Sequence, residues 1–136
     1  MRTFISIATA AIALAVLPSL AADEAPPKPA LHPILDEPYS PDASKHAVVM
    51  MVDWPVGADT GWHTHPGDEY ATVLEGEVGI ITKSGGAQSM HTYKAGEAYH
   101  NVRGVVHDAR NVGDGPAKTV VVLIAPKGAA LSQPVK

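Results

Sequence analysis

Between Gly57 and Gly76 the chain sets two histidines, His63 and His65, two positions apart and follows them with a carboxylate at Glu69. On an extended strand, residues two apart share a face and lie roughly 6–7 Å apart along the chain. Imidazoles so placed can converge on one ion at nitrogen–metal distances of about 2.0–2.1 Å. Pro66-Gly67-Asp68 then turns the chain, and Glu69 opens the next strand, which can swing its carboxylate back over the two histidines. Asp68 is a competing carboxylate, but beside Gly67 it is better placed to cap the turn. The chain has no cysteine, so any metal must be held by imidazole and carboxylate rather than thiolate.

The rest of the chain is punctuated in the same way. Apolar, β-branched runs at 46–54, 70–74, 77–82, 88–93, 97–102, 107–111 and 119–125 are separated by Gly, Pro and Asp. Short strands at this spacing, with no helical period, predict an all-β sandwich or barrel. The run from Thr119 to Ala125 is continuously apolar, which predicts a strand buried on both faces or close to it.

The spacing resembles the first motif of the cupin family, Gly-x5-His-x-His-x3-Glu-x6-Gly; Gly57, His63, His65, Glu69 and Gly76 meet every fixed position. A second motif is matched by Gly96-Glu97 followed by His107 and Asn111, although Val102-Arg103-Gly104 stands where similar cupins usually carry proline. The resemblance covers roughly residues 47–126. It implies a double-stranded β-helix, a jelly-roll barrel with its site in the mouth. It also implies His63, His65, Glu69 and His107 as ligands to one divalent transition metal ion, whether Zn, Fe, Mn, Ni or Cu, with two coordination positions open. In similar cupins the position of His100 carries an aromatic or apolar residue facing the pocket. Alternation from Ala98 through His100 to Val102 is compatible with that face, which makes His100 a candidate catalytic acid/base. The same parity turns Tyr99 away. Asn111, in phase with His107, is a candidate support behind the ligands, and Arg110 is expected to face away.

Flanking segments bear on location. Arg2, the apolar run from Phe4 to Leu17, and Ser19 and Ala21 follow the plan of a secretory signal over residues 1–21. That run falls short of the roughly 20 residues of a comfortable span, so no stable membrane anchor is expected after cleavage. A proline-rich arm over 22–44 reads as a linker or a segment laid on the surface; the barrel occupies 45–127, and 128–136 is a patternless tail. Ten basic against fourteen acidic residues, with no basic cluster, make nucleic acid an unsuitable partner. The expectation is a secreted, periplasmic, homodimeric protein that binds a small organic ligand or substrate. Metal-dependent, dioxygenase-like enzyme chemistry comes first, isomerase or lyase chemistry behind it. A non-catalytic small-molecule or metal-binding module is the alternative.

Overall fold

Residues 24–136 are described by the computed structural model; the expected signal at 1–21 lies outside the described residues. The strands are β1 (Ala30–Pro38), β2 (Lys45–Trp54), β3 (His63–Thr64), β4 (Asp68–Glu75), β5 (Glu77–Ser84), β6 (Ala87–Lys94), β7 (Ala98–Asn101), β8 (His107–Asn111), β9 (Ala117–Pro126) and β10 (Gln133–Pro134). They form two five-stranded sheets, β1-β2-β9-β4-β7 and β10-β3-β8-β5-β6, in which all pairings are antiparallel. The fold is thus all-β, as the strand spacing predicts, with two facing antiparallel sheets as the family resemblance implies. Among the described residues, no helix is long and apolar enough to cross a membrane.

The sheets face each other across a core built by alternation. In β2, Val48, Met50, Val52 and Trp54 point inward and are buried, while Val49, Met51 and Asp53 are half-buried on the outer face. Ala71 and Val73 of β4, Val78 and Ile80 of β5, Ala109 of β8 and Val121 of β9 complete the inner layer. The one indole donor in this layer is satisfied, with Trp54 Nε1 donating to Thr119 Oγ1 at 3.0 Å.

Two glycines are fixed by close approach. A Cβ on Gly67 would stand 1.8 Å from the Ile124 carbonyl oxygen, so only glycine lets the β3–β4 turn pass over β9. Gly76 has φ of +73°, and a Cβ there would meet Ala117 at 2.7 Å.

Three local expectations are corrected. The proline-rich segment is not a free linker: residues 30–38 lie along the domain, paired with β2 as an exposed edge strand. An edge tolerates proline, whose missing N–H weakens only one side of the ladder, and Pro33 sits where the register shifts. Strand β9 is central but not buried on both faces: Thr119, Val121, Leu123 and Ala125 are buried, whereas Val120, Val122 and Ile124 are half-buried outside. The tail is anchored, since Gln133 and Pro134 pair with β3 and Val135 N bonds the Trp62 carbonyl at 2.9 Å.

Candidate metal centre

His63 on β3 lies directly across from His107 on β8, and the turn after β3 brings His65 and then Glu69 of β4 alongside them. Ring centroids are 4.3 Å apart for His63 and His107, 4.8 Å for His63 and His65, and 5.1 Å for His65 and His107. One nitrogen from each ring falls within a 4.8 Å cluster. Glu69 Oε2 is 3.3 Å from His65 Nε2 and 3.8 Å from His107 Nε2. The four residues singled out in the sequence are therefore brought together.

The backbone decides which nitrogens face inward. His63 Nδ1 donates to the Gly61 carbonyl at 2.8 Å, His65 Nδ1 to the Leu131 carbonyl at 2.6 Å, and His107 Nδ1 to the Val105 carbonyl at 3.0 Å. A carbonyl can only accept, so each Nδ1 carries a proton, and Nε2 is the nitrogen turned to the centre: a bare lone pair in a neutral ring, and in charged His65 an N–H facing Glu69. His63 Nε2 and His65 Nε2 are only 3.2 Å apart, and the buried His107 Nε2 has no hydrogen-bond partner. A buried lone pair left unsatisfied, as at His107 Nε2, is costly unless a cation sits beside it. Ligand atoms about 2.1 Å from one ion and at right angles lie about 3 Å apart, close to the observed separations. The cluster therefore fits a divalent metal ion.

Protonation follows from the same surroundings. Burial lowers the pKa of His63 and of His107, and nearby imidazoles add to the effect, so both rings are neutral near pH 7. Burial also pulls on His65, but the hydrogen bond and charge of Glu69, with the Leu131 carbonyl, outweigh it and leave its pKa raised. Burial opposes ionisation of Glu69; the hydrogen bond and charge of His65, the amide of Asn101 at 2.7 Å and the nearby His107 prevail and lower its pKa.

His100 is not part of this group. It is exposed on the outer face of β7, its ring stacked on Tyr70 at 4.4 Å and its Nε2 3.1 Å from Asp68 Oδ1. The inward residues of β7 are Tyr99 and Asn101, both buried. The parity expected for this strand is therefore reversed, because the small apolar neighbours Ala98 and Val102 face solvent. Tyr99, expected to face out or pack behind the wall, lines the cavity instead; burial and the Glu69 charge drive its pKa far up, so it stays protonated. Asp68 does not cap its own turn: it opens β4 and accepts from Arg103 N at 3.2 Å, holding the loop between β7 and β8.

Asn111 stands away from the ligands: its amide reaches the carbonyls of Trp54, Pro55 and Gly115 at 2.9–3.1 Å, clasping the β8–β9 turn to the end of β2. Arg110 does face away, pairing with Asp108 and Asp59. The loop lacking proline is held by Gly104 N bonding the His65 carbonyl at 3.0 Å, with Gly104 at φ +77°.

The four residues open onto a cavity of about 300 Å³. Met50, Val52, Trp54, Val121 and Leu123 make its walls apolar, Tyr99 and Thr60 add hydroxyls, and Lys28, Leu131 and Ser132 also border it. Sequence reasoning did not single out Lys28, Leu131 or Thr60. A lysine in a proline-rich arm and a carbonyl from a tail carry no local signal.

The cupin domain family matches residues 50–123, and the chain belongs to that family. Among solved structures it is similar to an uncharacterised double-stranded β-helix protein from Klebsiella pneumoniae, at 28% identity and TM-score 0.61, covering 87% of this chain and 90% of that one. It is also similar to an oxalate oxidase solved with the substrate analogue glycolate, at 26% identity and TM-score 0.60. That match covers 81% of this chain but only 58% of the oxidase. A cupin domain from Bordetella pertussis, at 22% identity and TM-score 0.58, shares the fold over 74% of this chain and 97% of its own. No curated protein matches.

Proposed function

We propose that the chain is an exported, metal-dependent cupin enzyme that performs dioxygenase-like chemistry on a small organic substrate. The observation carrying this reading is the set of three Nε2 atoms, each fixed by an Nδ1–H bond to a backbone carbonyl and all converging beside Glu69 at the cavity. A divalent ion held by His63, His65, Glu69 and His107 supplies Lewis-acid or redox character at its open positions. The chain's own residues do the rest. The carbonyls of Gly61, Leu131 and Val105 orient the rings, which keeps the ligand atoms in place without rearrangement. Met50, Val52, Trp54, Val121 and Leu123 exclude water and accept the apolar part of a substrate. Tyr99 keeps its proton and so serves as a hydrogen-bonding group, not a base.

The likeness to an oxalate oxidase supports oxidative chemistry on a small organic molecule. Isomerase and lyase chemistry stand behind it, and His100, the expected proton carrier, faces outward and takes no part in any of them. Export to the periplasm rests on the residue pattern at 1–21. Homodimer formation is part of the proposal and rests on the apolar outer face of the first sheet, where Val49, Met51, Val120, Val122 and Ile124 are only half-covered.

The test is oxygen uptake by metal-loaded protein across a panel of phenols and organic acids, with product analysis. Turnover with at least one compound, abolished in His107→Ala, is expected. A stoichiometric metal with no oxygen uptake or product across the panel would shift the reading to a non-catalytic binding module.

A further inference from the structure

Lys28 reaches the metal cavity from the arm before β1. The arm is tied there by Asp59 N donating to the Pro27 carbonyl at 3.0 Å, and Lys28 Nζ donates to the Asp59 carbonyl at 2.9 Å. An ammonium has three donors, so two are left for another acceptor. The carboxylate of Asp59 does not neutralise it: one oxygen accepts from Gly61 N and the other pairs with Arg110 at 3.2 Å. Glu69, the acidic residue lining the cavity, is committed to His65 and Asn101. The lysine ion pairs among the described residues are made by Lys45, Lys94 and Lys118, and Lys28 makes none. Its ammonium lies beside Gly61, two residues before His63. A Cβ on Gly61 would lie 3.7 Å from Lys28 Nζ, and the Gly61 carbonyl is the group that orients His63.

An exposed cation with no ion-pair partner among the described residues, on the border of an apolar cavity, favours negative charge. Resting on the reading of this cavity as the substrate site, we infer that Lys28 is a specificity-determining residue that receives a carboxylate. The substrate class is then a small organic acid with an apolar body, its other polar end directed toward the histidines.

The test uses the zinc-loaded full chain, because zinc is redox-inert and leaves a probe unaltered. Calorimetry compares 3,4-dihydroxybenzoate with 3,4-dihydroxybenzamide, which have the same shape and differ in charge at the carboxyl end. Wild type is expected to prefer the acid by about tenfold, the value of one charge-assisted hydrogen bond. Lys28→Met should lose that preference while zinc stoichiometry and affinity for the amide stay unchanged, and Lys28→Arg should keep most of it. An undiminished preference in Lys28→Met, an equal loss of affinity for both probes, or no preference or binding in wild type would overturn the inference. Failure of wild type to hold zinc would instead overturn the metal reading. The same comparison on metal-free protein would then decide the role of Lys28 alone, with the same outcomes.

Discussion

Each histidine of the cluster is oriented by a carbonyl at Nδ1 and faces its neighbours through Nε2, and the second interaction depends on protonation. His65, with its raised pKa, gives up a proton when a metal binds, whereas His63 and His107, with lowered values, are already neutral near pH 7. Zinc affinity is therefore expected to rise with pH and level off above the His65 pKa. Below it, affinity falls about tenfold per pH unit, and more steeply once the other two rings protonate. Competition titrations with a chelator between pH 5 and 9 measure this; a flat profile would contradict His65 as a metal ligand. The local part of the site was legible in the sequence because His63, His65 and Glu69 are brought together by one turn. His107 needed the second motif, since nothing local links it to the first three. The orienting carbonyls were not legible at all, because every residue carries one and only the fold decides which is used.

At the level of elements, the turn after β3 and the tail do more than connect. Gly67→Ala would press a methyl group into the backbone of β9, where nothing flexible can yield, and should cost more than about 4 kcal/mol in urea unfolding. Gly104→Ala meets no atom within 4 Å and bears only its positive φ, so it should cost about 1 kcal/mol. Equal costs would show that close approach is not what fixes Gly67. Deleting residues 128–136 removes the Leu131 carbonyl and the β10 pairing, freeing the His65 ring; zinc affinity should fall at least about tenfold, as for lost support of a metal ligand. Unchanged affinity in the truncated protein would mean that the tail has no part in the site. Strand positions were readable from the apolar runs, but facing was not. Strand β7 is four residues long, too short for alternation to declare its inner face, and its pairing with β4, Glu69 opposite Asn101, sets the parity.

For the whole molecule, the two sheets enclose a core and a cavity lined by His63, His65, Glu69 and His107, while the outer face of the first sheet stays apolar. If that face joins two copies, light scattering should give a dimer mass for wild type and a monomer mass for Val122→Glu, with metal content unchanged; a monomeric wild type would remove the homodimer from the account. An all-β fold was legible in the turn spacing and its cupin form in the resemblance of the two motifs, whereas β1 was obscured by prolines that only an edge strand accommodates. The central claim is that His63, His65, Glu69 and His107 form one metal site in a folded barrel. Elemental analysis of the protein purified from its native compartment, set beside His63→Ala with matched circular dichroism, tests it most directly. The account predicts one divalent transition metal ion per chain in wild type and its loss in a still-folded His63→Ala. A folded wild-type protein that holds no stoichiometric metal, even after incubation with zinc, would contradict it.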